Sequence, residues 1–277
     1  MSGAAPVEMR PGEILLAEGR LEAGWWGPGP EAAPTIVMLH EGLGSLGLWR
    51  EFPARLAAVT GWGVFAWSRF GYGGSDPVAL PRPLDYLRRE ATGVLPRVLD
   101  AAGLRRFILF GHSDGASIAA IHAGADPDPR LQGAVLVAPH VFTEPAGLAG
   151  VAAMRDRFAA GDLRARLARH HRHVDIAFHG WAGAWLDPRF PAAFDLLPEV
   201  RRIRLPVLAI QGEADEYGTP EQLHAIAREA PGPVELLLLP GIGHAPQAEA
   251  PGAVLAAVRD FAARLPARGS DAAAPGV

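Results

Sequence analysis

Cysteine is absent from the 277 residues, which excludes disulfides, thiolate metal ligands and a cysteine nucleophile. Long apolar runs are also missing, because runs such as 107–110 and 236–239 are far too short to cross a bilayer. The net charge is only −4 and no basic patch stands out, so neither nucleic acid nor an anionic membrane is an expected partner. Residues 1–11 lack a basic start followed by an apolar run, so we expect no signal peptide and a cytoplasmic location.

What the sequence does contain is short apolar runs alternating with longer amphipathic stretches, in a chain that is 49% apolar. This alternation predicts an α/β fold with a mostly parallel central sheet and helices on both faces. The predicted strands are 35–39, 63–67, 106–110, 133–137, 207–210 and 234–239, and an antiparallel hairpin is predicted over 14–26. The predicted helices are 49–59, 84–102, 113–125, 220–230 and 251–265.

One segment interrupts the alternation. Residues 140–202 contain no clear strand, are helical in pattern and are rich in Arg, His and Trp. We interpret them as a helical cap inserted between two parts of the core, 1–139 and 203–265. The small and polar residues 266–277 are predicted to be a disordered tail.

The strongest chemical signal is the sequence Gly111-His112-Ser113-Asp114-Gly115. A predicted strand precedes it and a predicted helix follows, which is the context of a nucleophile elbow. Glycines at both ends permit a turn too tight for a Cβ atom. We therefore predict that Ser113 is a nucleophile and that the backbone N–H of Asp114 donates to an oxyanion.

A serine nucleophile needs a base, and an elbow of this type takes its base from a histidine near the C-terminus. Of the ten histidines, His244 follows the last predicted strand directly. The acid that orients this histidine is expected on the loop after the preceding strand. Asp215 has the preferred spacing there, with Glu213 and Glu216 as competing candidates.

A second oxyanion donor is expected on the loop after the strand 35–39, which reads His40-Glu41-Gly42-Leu43-Gly44-Ser45. Gly42 has no side chain, so its N–H is free to approach a ligand closely. We predict that Gly42 and Asp114 together form the oxyanion hole.

With these motifs in order, the chain resembles the α/β-hydrolase superfamily from about residue 35 to residue 265, and specifically its compact, capped carboxylesterase and carbon–carbon hydrolase branch. The oxyanion loop at His40, the turn at 69–75, the elbow around Ser113 and the pair Asp215 and His244 carry the resemblance. It implies the α/β-hydrolase fold and a Ser-His-Asp triad. Aspartate replaces the nucleophilic serine in related dehalogenases and epoxide hydrolases, so those activities are not expected.

The sequence departs from the family pattern at two acidic residues. Glu41 stands where the family has glycine, and Asp114 stands where it often has methionine or a small residue. A carboxylate beside an oxyanion hole opposes the developing charge unless it points away or pairs with a cation. The two acids therefore indicate either an unusual polar substrate or a structural pairing with each other or with an arginine such as Arg69.

The predicted substrate pocket rests on residues of the loops and the cap. His40 and Glu41 follow one strand end, and His140 and Phe142 follow another. Trp181 and Trp185 lie four residues apart and share a helix face, where they either line the pocket or pack the cap onto the core. Three histidines at 170, 171 and 173 lack the further ligands of a metal site, so no metal is predicted.

The leading hypothesis is hydrolysis of a small-molecule carboxylic ester through an acyl-enzyme, without a cofactor. The first alternative is hydrolysis of a carbon–carbon bond in a vinylogous diketone acid. Its carboxylates would require cap arginines such as Arg155 or Arg157 to reach the pocket. The second alternative is a small-molecule binding protein without catalysis on the same fold. The sequence leaves the oligomeric state open.

Overall fold

A computed structural model describes residues 7–125 and 128–265. The strands are β1 (Arg10–Leu16), β2 (Gly19–Trp26), β3 (Thr35–Leu39), β4 (Gly63–Trp67), β5 (Phe107–His112), β6 (Leu131–Val137), β7 (Val207–Gly212) and β8 (Val234–Leu239). They form one sheet in the order β1-β2-β4-β3-β5-β6-β7-β8. β2 is antiparallel to both of its neighbours and every other pairing, from β4 to β8, is parallel. The α/β-hydrolase fold and the mostly parallel sheet predicted from the sequence are therefore confirmed.

The helices before the long insertion are α1 (Phe52–Thr60), α2 (Tyr86–Arg89), α3 (Leu95–Ala101) and α4 (Asp114–Gly124), with a 3₁₀ turn over Leu46–Trp49 and a π-helical turn over Glu90–Val94. Between β6 and β7 lie α5 (Pro145–Ala159), α6 (Asp162–Leu167), α7 (Val174–Trp185), α8 (Phe190–Ala193) and α9 (Leu197–Val200). The chain continues with α10 (Glu221–Glu229), α11 (Pro246–Glu249) and α12 (Pro251–Arg264). No helix of the described residues is both long enough and apolar enough to cross a membrane.

The side chains of the central strands alternate between two apolar clusters, one on each face of the sheet. Val37 and Leu109 belong to the cluster shared with α3, α4 and α7. Ile36 and Ile108 belong to the opposite cluster, which packs against α1 and α12. Because both faces are covered, these strands are apolar throughout.

Two predicted elements differ from the structure. The helix predicted over 84–102 is divided into α2, a π-helical turn and α3, and Pro96 stands in the first turn of α3. Proline lacks an N–H and its ring clashes with the preceding turn, so a regular helix does not run through it. β8 was expected to be covered on both faces, but it is an edge strand in which Leu236 is 40% exposed.

The parallel register aligns the loops that carry the candidate site. Leu39 pairs with Gly111, so the loop after β3 begins beside the turn after β5. Gly212 pairs with Leu239, so the loops after β7 and β8 also begin side by side. All four loops therefore meet at the carboxyl edge of the sheet, where open α/β sheets bind their ligands.

We expect Gly115→Ala to destabilise the fold, because a Cβ atom there would collide with the backbone carbonyls of Leu39 and His40. Forced packing of this kind costs about 1–3 kcal/mol. The free energy of unfolding from urea titration measures the loss. Gly93→Ala is the matched control, since nothing lies within 4 Å of a Cβ atom at that position. Equal stability of the two variants would contradict the packing argument.

Candidate active site

Ser113 occupies a strained turn between β5 and α4. Its φ and ψ are 53° and −118°, a conformation that residues other than glycine rarely adopt. A side chain at Gly111 would collide with the backbone of Gly115, so the turn closes only because position 111 is glycine. The Ser113 N–H donates to Val137 O at 2.9 Å. The turn therefore holds the serine at the carboxyl edge of the sheet.

His244 and Asp215 form a hydrogen-bonded pair. The Nδ1 atom of His244 lies 2.9 Å from each carboxylate oxygen of Asp215, whose side chain is 1% exposed. A carboxylate only accepts, so Nδ1 carries the proton and Nε2 is left as a base. Burial raises the pKa of Asp215, but the hydrogen bond and charge of His244 and the hydrogen bond from the Tyr217 N–H together outweigh it, and the pKa lies below its ordinary value. The competing carboxylates Glu213 and Glu216 are exposed.

Three rings surround the imidazole of His244. The ring centroids of Tyr217, His112 and His140 lie 4.7, 5.2 and 5.6 Å from it. His112 Nε2 donates to His244 O at 2.8 Å, and its Nδ1 accepts from Gln247 at 3.1 Å. Burial lowers the pKa of His112 to about 3 and also lowers that of His140. Both flanking histidines are therefore neutral at pH 7, and neither places a fixed positive charge beside His244.

Gly42 and Asp114 stand on the wall of one cavity with Ser113 and His244. Among the described residues, no acceptor takes a hydrogen bond from the N–H of Gly42 or of Asp114. Both N–H groups are thus available to a ligand. A side chain at Gly42 would collide with the indole ring of Trp181, so glycine is required there for packing as well.

The Asp114 side chain turns away from this cavity mouth into a buried polar cluster. It accepts hydrogen bonds from Tyr86 Oη at 2.5 Å and Trp185 Nε1 at 3.2 Å. Its Oδ2 atom lies 4.0 Å from Arg69 Nη2. Burial raises the pKa of Asp114, while Arg69 opposes that rise. Of the two readings left open by the sequence, these contacts favour structural pairing with an arginine for this carboxylate.

The cavity has a volume of about 140 Å³, and its walls come from the loop after β3, the turn at Ser113, helices α5 and α7 and the loops after β6, β7 and β8. Its lining residues are Glu41, Gly42, Leu43, Ser113, Asp114, His140, Gly147, Val151, Met154, Trp181, Trp185, Tyr217 and His244. Four of the six predicted pocket residues are among them. Among the described residues, no group of three or more His, Asp or Glu could hold a metal ion.

The other two predicted pocket residues lie elsewhere. His40 is buried, its Nε2 accepts from the Arg69 N–H at 3.0 Å, and its Nδ1 contacts Glu41 O at 2.7 Å. Burial lowers its pKa well below the ordinary value, so it supports the oxyanion loop as a neutral ring. Phe142 packs against the apolar core instead of the cavity.

Sequence reasoning missed the contribution of α5 and of Tyr217. Gly147, Val151 and Met154 recur at intervals of four and three residues, so one face of α5 lines the cavity. That spacing was visible in the sequence, but nothing local showed that this face meets the active site. Tyr217 lines the cavity, and its backbone N–H donates a hydrogen bond to the Asp215 carboxylate at 2.8 Å.

The sequence profile described as the alpha/beta hydrolase fold matches residues 34–173, which is half of the chain. The chain belongs to the α/β-hydrolase family. No protein with curated annotation matches its sequence.

Solved structures share this fold over most of their length. The enol-lactonase from Burkholderia xenovorans is 22% identical, with a TM-score of 0.69 over 91% of this chain and 100% of its own. The naproxen esterase from Bacillus subtilis is 22% identical, with a TM-score of 0.68 over 92% of both chains. The 2-hydroxy-6-oxo-6-phenylhexa-2,4-dienoate hydrolase from a Rhodococcus strain is 16% identical, with a TM-score of 0.73 over 92% of this chain and 98% of its own. At these identities the likeness shows the fold alone.

We expect stability to fall on acidification because of His112, whose pKa drops from 6.5 to about 3 on folding. A group with a lowered folded pKa stabilises the protein above pH 6.5 and loses that contribution as the pH falls toward 3, since the unfolded state binds the proton more readily. His112→Gln should therefore reduce the slope of unfolding free energy against pH by up to about 1.4 kcal/mol per pH unit. Urea titrations between pH 4 and pH 7 measure the slope, and an unchanged slope would contradict the assignment.

Proposed function

We propose that this α/β-hydrolase cleaves carboxylic esters of small molecules through an acyl-enzyme. The observation that carries the proposal is the shared cavity: it brings together strained Ser113, His244 paired with buried Asp215, and the free N–H groups of Gly42 and Asp114. Serine, base, acid and paired N–H donors are the groups that acyl transfer requires.

In the first half of the reaction, Ser113 Oγ attacks the ester carbonyl while His244 Nε2 accepts the hydroxyl proton. The N–H groups of Gly42 and Asp114 stabilise the oxyanion, and Asp215 stabilises the imidazolium. The carbonyl–oxygen bond to the alcohol then breaks as His244 returns the proton to the departing oxygen. In the second half, water attacks the acyl-enzyme with His244 as base, and the acid leaves from Ser113.

Charge on the cavity wall favours ester hydrolysis over the carbon–carbon alternative. A vinylogous diketone acid carries carboxylates, which call for a cationic partner. The described lining contains no lysine or arginine, and of its two acidic residues Asp114 directs its carboxylate to Tyr86, Trp185 and Arg69, which leaves that of Glu41 without a cationic partner. The cap residues considered for this role, Arg155 and Arg157, are exposed, and Arg155 pairs with Asp156 at 2.9 Å.

The cavity size indicates a small substrate group next to the serine. Its volume of about 140 Å³ is close to that of an engineered apolar cavity of about 150 Å³ that holds one benzene molecule. Val151, Met154 and Trp181 give this wall a largely apolar surface. We therefore expect a preference for short acyl chains.

The direct test is the initial rate on p-nitrophenyl esters from acetate to decanoate. We expect kcat/KM to be highest for the shortest chains and to fall as the acyl group outgrows the cavity. Ser113→Ala should lower kcat by about 10⁶-fold, the loss seen when a serine nucleophile is removed from a triad. Turnover that survives this substitution would refute the acyl-enzyme mechanism.

A second test concerns the acid. Asp215→Asn should lower kcat by about 10⁴-fold, because an amide favours the wrong tautomer of His244. Glu213→Gln is the matched control, since it removes the same charge from the same loop at an exposed position. Steady-state rates on the preferred p-nitrophenyl ester measure the loss of kcat in each of the two variants. Equal losses in the two variants would show that Asp215 has no special role.

A further inference from the structure

Glu41 lines two cavities. It lines the 140 Å³ catalytic cavity and also a second cavity of about 630 Å³ between the oxyanion loop, α1 and α11. Its backbone carbonyl contacts His40 Nδ1 at 2.7 Å and accepts from Arg69 Nη2 at 3.0 Å and Gly44 N at 3.1 Å. The carboxylate folds over Gly44, where any side chain would collide with it. The position of this residue is therefore firmly fixed.

The same carboxylate forms no ion pair among the described residues, and the hydrogen bond that it accepts comes from its own backbone N–H. No cation there lies within ion-pair distance of it, and no other residue donates a hydrogen bond to it. Arg69 contacts the Glu41 carbonyl and approaches Asp114 instead. Burial raises the pKa of Glu41, while the hydrogen bond from its own backbone N–H and the charge of Arg69 oppose that rise. Glu41 is partly buried and no cation neutralises its carboxylate, so its remaining lone pairs can accept a cationic or hydrogen-bonding partner when the cavity is filled.

The rest of the wall shows what kind of partner fits. Trp181, Trp185 and Tyr217 line the catalytic cavity, and aromatic faces attract cations, quaternary ammonium groups in particular. The indole N–H of Trp185 is bonded to Tyr86 and Asp114, so it does not serve a ligand. The described lining has no lysine or arginine to repel a cation. The arginines of the second cavity, Arg50 and Arg55, are exposed.

We propose that the catalytic cavity selects esters that carry a small ammonium group, and that Glu41 is the residue that determines this specificity. The inference deepens the proposed ester hydrolysis and rests on it. The Glu41 carboxylate neutralises the cation at one side, and the tryptophan and tyrosine rings cover its alkyl surface. A neutral hydrogen-bond donor would satisfy the carboxylate, but it would not gain the cation–π attraction of the three aromatic rings.

The test compares a choline ester with the 3,3-dimethylbutyl ester of the same short acid. The two esters have the same shape. They differ at one atom, which is a positively charged nitrogen in the choline ester and a neutral carbon in its analogue. We expect kcat/KM to favour the choline ester by about tenfold or more, the size expected when a desolvated cation meets aromatic faces and a carboxylate. In Glu41→Gln the ratio should fall to near one.

Two further variants separate charge at Glu41 from other effects. Glu51→Gln removes the same charge from the second cavity and should keep the preference for the choline ester. Glu41→Asp retains the charge and should keep most of the preference for the choline ester. A ratio near one in the wild type, or an undiminished ratio in Glu41→Gln, overturns the specificity proposal even where Ser113-dependent turnover upholds ester hydrolysis.

Binding to the Ser113→Ala variant gives a readout that does not depend on turnover. Titration calorimetry should show the choline ester binding more tightly than its neutral analogue, and Glu41→Gln in the same background should abolish the difference. Equal binding of the two esters overturns the proposal. If the wild type turns over neither ester but this binding difference is present, ester hydrolysis fails and the cation site stands.

Discussion

The tight turn at Ser113 is the constraint on which the rest of the site depends. A residue with a side chain is held at a φ of 53°, and neighbouring backbone packs where Cβ atoms at Gly111 and Gly115 would stand. The carbonyls of Leu39 and His40 pack against Gly115, which brings the loop after β3 against the start of α4, and the N–H groups of Gly42 and Asp114 reach one cavity. The strained conformation of Ser113 and the approach of these two N–H groups thus both depend on glycines of the same short turn.

Buried polar contacts tie the other elements to this turn. Trp185 at the end of α7 and Tyr86 at the start of α2 both donate toward Asp114, the residue after the serine. His171, between α6 and α7, donates from Nε2 to Leu43 O at 2.9 Å and accepts from Gly73 N at 3.0 Å. The helical insertion is thereby bonded to the elbow and to the oxyanion loop. Its helices α5 and α7 line the cavity and therefore set its size.

Charge is distributed unequally between the cavity wall and the protein around it. Arg69 is almost completely buried, but it contacts the Glu41 carbonyl and approaches Asp114 from behind the wall. The histidines next to His244 are neutral because burial depresses their pKa values. The wall itself presents carboxylate and aromatic groups. Among the residues that the structure describes, this wall offers an anionic group no lysine or arginine, whereas it would complement a neutral or cationic group.

Local patterns in the sequence determined the strands, the elbow and its serine, because an apolar run, a Gly-x-Ser-x-Gly turn and a helix are properties of neighbouring residues. They also indicated His244, which follows directly on the last strand. Only the tertiary structure decided that Asp215, and not Glu213 or Glu216, pairs with His244, because the reach of a carboxylate to an imidazole 29 residues away depends on how two loops pack. The same holds for His40, turned behind the oxyanion loop, and for Tyr217 and α5, which reach the cavity from separate parts of the chain. Contacts between distant segments are set by the packing of the whole fold, and no local pattern encodes them.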